Sequence, residues 1–256
     1  MKIDLKRESI HHGNLILVNA ACPLKEEPEE AKRSSVLGDQ NIEMVKEAAE
    51  KLKELTEYVK IGKNITGVSG YRSLREQQQI YQNSLAENGE EFTRKYVALP
   101  NHSEHQCGLA IDVAKRQKEI DFICPEFPYE GIYGKFRKYA ADFGFVERYP
   151  KEKEKITGIG AEPWHFRYVG TPHAKLMYER NMVLEEYIQW IKQYDMVRNP
   201  LVIIEGTEQI SIGYIKEKNR REIYVPEGGS AEISGNNMDG FIITIKSVCQ
   251  ECVKQA

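Results

Sequence analysis

The chain has 256 residues, 41% of them hydrophobic and 29% charged, enough to build one large core, or a domain of about 190 residues with an appendix. With 36 Lys and Arg against 39 Asp and Glu, its net charge of -3 carries no electrostatic footprint for nucleic acid or an anionic membrane. The N-terminal MKIDLKRESIHHGN has no apolar signal-peptide core, and no stretch approaches the roughly 20 apolar residues that cross a bilayer, so the expected location is the cytoplasm.

In chain order, NLILVNAACPL (14–24) reads as a buried strand and the acidic stretch 25–35 as a loop. Apolar residues at Ile42, Val45, Ala48, Ala49, Leu52, Leu55 and Val59 predict a helix over 39–60. ITGVSGYRS (65–73) is a glycine-punctuated strand leading into a helix that stops near Gly89, and 90–104 is a polar loop. GLAIDVA (108–114) alternates like a strand. An aromatic helix follows at 132–143, turning at Gly144 into another strand, and EPWHFRYVG (162–170) is a further strand. Residues 172–194 read as one long amphipathic helix. From Asp195 the texture becomes short β-rich runs between polar turns, which sets a boundary between a main domain, 1–194, and a small extension, 195–256. Five widely spread cysteines (Cys22, Cys107, Cys124, Cys249, Cys252) predict reduced thiols, and the Cys249/Cys252 pair lacks the second pair of a zinc ribbon.

The chemistry concentrates in SEHQCGLAID (103–112). Period 2 puts Ala110 and Asp112 on one face of the strand, opposite Leu109, Ile111 and Val113. A carboxylate on a core strand needs a partner: a zinc ion shared with His105, or backbone amides, or an arginine. EPWH adds Glu162 and His165, which can converge where a strand is twisted or bulged. His105, Asp112 and His165 then make the three protein ligands usual for catalytic zinc, with Glu162 placed to take a proton from water. Glu162 could instead pair with Arg167, and Trp164 could simply pack. Cys107 reads as a small packed side chain, His11, His12 and His173 as surface residues, and His102 as lining the cleft.

The pattern Ser103, His105, Gly108, Ala110, Asp112, followed by Glu162 to His165, resembles the VanY-type D-alanyl-D-alanine carboxypeptidases, with SGYRS (69–73), GFVERYP (144–150) and TGIGAEPWHFRYVG (157–170) as further matches. The similarity spans roughly residues 14–192, and the missing membrane segment makes the bifunctional D,D-dipeptidase/D,D-carboxypeptidase type, VanXY, the most similar form. The resemblance implies an α+β fold in which an antiparallel central sheet, flanked by helices, carries one Zn2+ per chain on His105, Asp112 and His165. It implies Glu162 as base, Arg72 as oxyanion or substrate grip, and Gln77, Ser103 and Trp164 as substrate contacts. It also implies D-Ala-D-Ala dipeptide and D-Ala-terminated peptidoglycan precursors as substrates, and so a part in vancomycin resistance. An L-alanyl-D-glutamate endopeptidase is the enzymatic alternative, and a non-catalytic zinc interaction module the other; Glu162 and Arg72 speak against the latter. The loops 115–131 and 151–160 are candidate caps of the cleft. Residues 195–256 lie outside the resemblance and could form a homodimer surface, a brace or a partner-binding module.

Overall fold

The computed structural model describes residues 2–5, 8–219 and 222–249. In chain order they form β1 (Lys2–Asp4), β2 (Arg33–Val36), β3 (Asp39–Val45), α1 (Lys46–Val59), β4 (Ile65–Ser69) and α2 (Leu74–Tyr96). Then come β5 (Ala110–Lys115), α3 (Gly131–Ala140), β6 (Phe145–Tyr149), α4 (Glu154–Thr157), β7 (Glu162–Tyr168), α5 (His173–Glu179) and α6 (Leu184–Ile191). Five strands close the chain: β8 (Leu201–Glu205), β9 (Glu208–Lys216), β10 (Glu222–Tyr224), β11 (Ser230–Gly235) and β12 (Gly240–Val248). Helices and antiparallel sheets are mixed, as the sequence leads one to expect, and no described helix is long and apolar enough to cross a membrane.

The chain divides into two compact units, residues 18–185 and residues 1–17 with 186–256. The sequence boundary at 194 thus differs from the structural one, which falls inside α6 and assigns the N-terminal segment to the C-terminal unit. In that unit β11-β12-β9-β8 form an antiparallel sheet and β1 pairs with β10. Leu5 and Ile10 join Met196, Ile215, Ile223, Val225, Phe241, Ile243 and Ile245 in one buried cluster. Residues from both ends of the chain therefore share a core, which is why the β-rich run alone would be too small to stand by itself.

The larger unit is built on the antiparallel sheet β4-β5-β7-β6, with β2 and β3 as a separate hairpin. One face of the sheet is apolar: Ile111 on β5 lies opposite Phe166 on β7. Phe166 meets Phe136 of α3 edge-on at 5.1 Å and Phe127 at 5.8 Å. Helix α1 buries Ala48, Ala49, Leu52 and Leu55 and packs against α3.

Several local expectations change. Residues 15–18 are buried but form no strand; the Leu17 amide donates to the Asn236 carbonyl, and Asn237 Nδ2 donates to the Leu17 carbonyl. The expected helix over 39–60 begins only at Lys46. Leu37 and Gly38 both have positive φ (55° and 76°), the geometry of a tight hairpin turn, and that turn folds 39–45 back on β2 as β3. Gly89 (φ 80°, ψ 173°) kinks α2 without ending it, so helix continues to Tyr96 through part of the expected loop. The 172–194 helix is two helices, with Asn181 in left-handed backbone (φ 50°) between them, and His173 is buried rather than on the surface. Cys22, Cys107 and Cys124 are in no disulfide, as expected, whereas Cys249 is disulfide-bonded; Cys252 lies outside the described residues.

Phe136 is fully buried in the aromatic layer behind β5 and β7. Phe136→Ala should lower stability by about 3–5 kcal/mol, read from the shift of a urea unfolding midpoint at unchanged slope.

Candidate active site

Strand register assembles the site. Asp112 on β5 lies directly opposite His165 on β7 and pairs with Ser69 on β4, so all three share one face of the sheet. On β7, four residue steps from Glu162 to Phe166 span only two on β6, from Tyr149 to Glu147. This irregularity brings Glu162 to His165's side, with Glu162 Oε2 3.7 Å from His165 Nδ1.

His105 arrives from a 3-10 turn, Glu104–Cys107, that ends at Gly108 in left-handed backbone (φ 69°). A Cβ on Gly108 would also stand 3.1 Å from Val45 Cγ2 and 3.2 Å from Pro28 Cγ, so glycine meets both a conformational and a packing need. His105 Nδ1 is 2.7 Å from the Gly70 carbonyl, which makes it the protonated ring nitrogen and leaves the lone pair on Nε2. That Nε2 is 3.0 Å from Asp112 Oδ2, while His165 Nδ1 is 2.9 Å from Asp112 Oδ1. His105, Asp112 and His165 are all buried, and each offers a ligand atom within 4.8 Å of the other two. Two imidazoles and a carboxylate, converging and with one lone pair already aimed inward, fit a zinc ion.

Arg72 enters from the turn between β4 and α2, where Ser73 caps α2 in a reciprocal box with Glu76. Its guanidinium is held on three sides: Nε donates to Ser69 Oγ (2.6 Å), Nη1 to Gln77 Oε1 (3.3 Å) and Nη2 to Asp112 Oδ2 (2.9 Å). Asp112 thus has both the imidazole partners and the arginine weighed from sequence. Gln77 is fully buried and also donates to the Ala98 carbonyl; it braces Arg72 and is not among the residues lining the cavity. Ser103 and Trp164 do line it, together with Arg72, the histidines, Asp112 and Glu162. Both candidate cap loops contribute, through Phe122 and Ile123 from one and Ile159 from the other. His102 lines an adjoining cavity of about 320 Å³ rather than this one.

Burial sets the proton balance of the site. It pushes Glu162 up to about 8, helped by the charges of Asp112 and Glu104 and opposed by His165 and Arg72. For His165 burial works against the charged ring, but Asp112, Glu104 and Glu162 outweigh it and raise the ring to about 9. Burial and the Arg72 charge lower His105 to about 4. Asp112 stays well below the usual carboxylate range because the two imidazoles outweigh its burial.

A second buried ionic cluster, not anticipated from the sequence, backs this one. Glu104 Oε1 pairs with Arg148 Nε (2.8 Å) and Arg167 Nη1 (2.9 Å), and Arg148 also grips Glu185 through both terminal nitrogens. Arg167 therefore pairs with Glu104 and not with Glu162. The available signal was an arginine in each of two largely apolar strands, FVERY and WHFRYV, since such cations require buried carboxylates. Cys107 is buried as expected, its thiol donating to the Glu104 carbonyl.

The model of the D-alanyl-D-alanine carboxypeptidase family VanY matches residues 41–171, which contain every residue of this site. The chain belongs to the VanY family. It is 40% identical over 183 residues to the bifunctional D-Ala-D-Ala dipeptidase and D-Ala-D-Ala carboxypeptidase VanXYC of Enterococcus gallinarum, covering 71% of this chain and 96% of that protein. The crystal structure of the vancomycin resistance D,D-dipeptidase VanXYg, in complex with a D-Ala-D-Ala phosphinate analog, is 48% identical and superposes with a TM-score of 0.89 over 96% of this chain and 98% of its own. That likeness reaches well beyond 14–192 and takes in most of the C-terminal unit. A VanY D,D-pentapeptidase variant from the VanB-type resistance cassette, solved with Zn(II), is 29% identical (TM-score 0.53) over 68% of this chain and 98% of that one.

A metal-bound imidazole must be neutral, whereas Asp112, Glu104 and Glu162 favour the protonated His165 ring, raised to about 9. Zinc uptake at pH 7 should therefore release protons, and affinity should climb as pH rises toward 9. Calorimetric titration in buffers of different ionisation enthalpy reads the number released; buffer-independent heats at pH 7 would contradict this.

Proposed function

We propose that this protein is a zinc D,D-peptidase that hydrolyses D-Ala-D-Ala and removes the terminal D-Ala from peptidoglycan precursor pentapeptides. The observation that carries the reading is the convergence of His105, Asp112 and His165 with a buried carboxylate, Glu162, beside them and a fixed guanidinium, Arg72, across the same cavity. A structural zinc site needs neither a neighbouring base nor an oxyanion donor, and this favours an enzyme over an interaction module. An L-alanyl-D-glutamate endopeptidase would share the metal chemistry, but no relative described above is named for that activity.

One zinc ion per chain, held by His105, Asp112 and His165, would supply Lewis acidity, polarising the scissile carbonyl and lowering the pKa of water toward about 7. The protein's own groups do the rest. Glu162 accepts the proton of the attacking water as its oxygen bonds to the carbonyl carbon. Glu162 then delivers that proton to the departing D-alanine amine as the C–N bond breaks. Arg72, locked by Ser69, Gln77 and Asp112, offers fixed donors to the developing oxyanion without reorganising. Ser103 and Trp164 bound the substrate, and Gln77 acts through Arg72.

Acting on the free dipeptide and the nucleotide-linked pentapeptide would place the enzyme in the cytoplasm. It would leave precursors with an altered terminus that vancomycin binds poorly.

The test is D-Ala release from D-Ala-D-Ala and from a D-Ala-terminated pentapeptide, with and without chelator. Glu162→Ala should lower kcat by about 10²–10⁴-fold while retaining zinc, whereas His165→Ala should lose the metal as well. Zinc bound at one equivalent with neither peptide cleaved would overturn the enzymatic reading, and metal loss in both variants would overturn the assignment of Glu162. Arg72→Lys keeps the charge but loses the rigid fork and should cost about 10²-fold in kcat, with a smaller change in KM.

A further inference from the structure

Glu104 stands beside the ligand candidate His105 in sequence but points to the other histidine. Its side chain is wholly buried, and so are those of its partners Arg148 and Arg167. A carboxylate stripped of water is costly unless it is paired. Pairing alone, however, does not account for how its two oxygens are used. Both guanidiniums gather on Oε1. Oε2 has no hydrogen-bond partner among the described residues and stands 3.6 Å from His165 Nε2, which has none either. The two unpartnered buried atoms thus face each other, one able to donate and the other able only to accept.

On its other edge, His165 turns Nδ1 to Asp112 (2.9 Å), and the Tyr149 ring lies against the imidazole with centroids 4.9 Å apart. The ring is therefore confined between two carboxylates, each in reach of a different nitrogen. His105 is arranged the opposite way: its Nδ1 is tied to the Gly70 carbonyl and its Nε2 faces Asp112. Two imidazoles meeting one carboxylate from opposite nitrogens need opposite tautomers, and each has its own acceptor to enforce one. For His105 that acceptor is a backbone carbonyl; for His165 it is Glu104.

We propose that Glu104 is a positioning residue for the metal site. It holds the His165 proton on Nε2 so that Nδ1 is presented to the cation, while Arg148 and Arg167 engage Glu104 Oε1 and keep this carboxylate out of the ligand set. Glu185, on the far side of Arg148, completes the charge balance without touching His165. The proposal rests on the reading of His105, Asp112 and His165 as the ligands. Carboxylates and carbonyls behind metal-binding histidines commonly contribute 10–100-fold in metal affinity, and that is the size of effect expected here.

The experiment compares zinc dissociation constants, by chelator competition at fixed pH, for the full chain and for Glu104→Gln and Glu185→Gln. Glu104→Gln should weaken zinc binding by about 10–100-fold. Glu185→Gln, which disturbs the same ion network one step away, should lower the melting temperature and leave zinc affinity within about twofold of wild type. Equal zinc loss in both variants would reduce Glu104 to a counter-ion and overturn the proposal, as would unchanged affinity in Glu104→Gln. Should that variant fail to fold, the unaltered protein still decides. In the zinc-loaded, ¹⁵N-histidine-labelled full chain, long-range proton–nitrogen correlation should show His165 protonated at Nε2 and metallated through Nδ1, with His105 the reverse. His165 metallated through Nε2 would overturn the proposal alone. Wild-type protein that takes up no zinc would overturn the ligand reading and this proposal with it.

Discussion

The register between β5 and β7 is the constraint on which everything else in the larger unit rests. It sets Asp112 opposite His165 on one face and Ile111 opposite Phe166 on the other. The apolar face is sealed by the aromatic side chains of Phe127 and Phe136. A slip of one residue would exchange the faces, sending a carboxylate and an imidazole into that layer and phenylalanine into the site. The hydrophobic packing behind the sheet therefore does more than stabilise the fold: it holds the candidate ligands in place.

In front of the sheet the organising force is the cost of buried charge. Asp112, His105, His165, Glu162, Glu104, Arg148 and Arg167 are all nearly out of water, Arg72 is partly so, and most of them are matched by an opposite charge within hydrogen-bond reach. Glu162 is the least compensated, and its carboxyl rises to about 8 as a result. A site arranged this way is preorganised: Arg72 is locked before any substrate arrives, and the carboxylate with the least partnering is the one proposed to move protons. Cations and anions are sorted into two linked clusters, one around Asp112 and one around Glu104, with His165 touching both.

The C-terminal unit has a different logic. It draws its first strand and part of its core from the N-terminus, so the two ends of the chain are folded together by Leu5, Ile10 and the strands after residue 200. The close structural likeness to VanXYg over 96% of the chain covers this unit too, whereas the VanY likeness stops at 68%.

Much of the candidate site was legible in the residues themselves. His105, Asp112, Glu162 and His165 stand in short motifs whose spacing is tied to strand period and to one bulge, and those are local properties. The strands at 65–69, 110–115, 145–149 and 162–168 were likewise readable, because alternation and flanking glycines act over a few residues. Other features were not. The turn at Leu37 and Gly38 converted the start of an apparent helix into β3, since backbone that reverses on itself offers hairpin bonds that periodicity cannot register. Glu104 carried no readable signal because its partners lie on strands more than forty residues away. Residues 1–17 carry no pattern saying which core they enter, so their grouping with residues 186–256 could not be read. What this sequence determined alone is the identity of the chemical groups and the strands that carry them. Which groups share a proton, which charge is left least compensated and which end of the chain closes which core were decided only by tertiary structure, because burial and pairing depend on residues far apart in sequence.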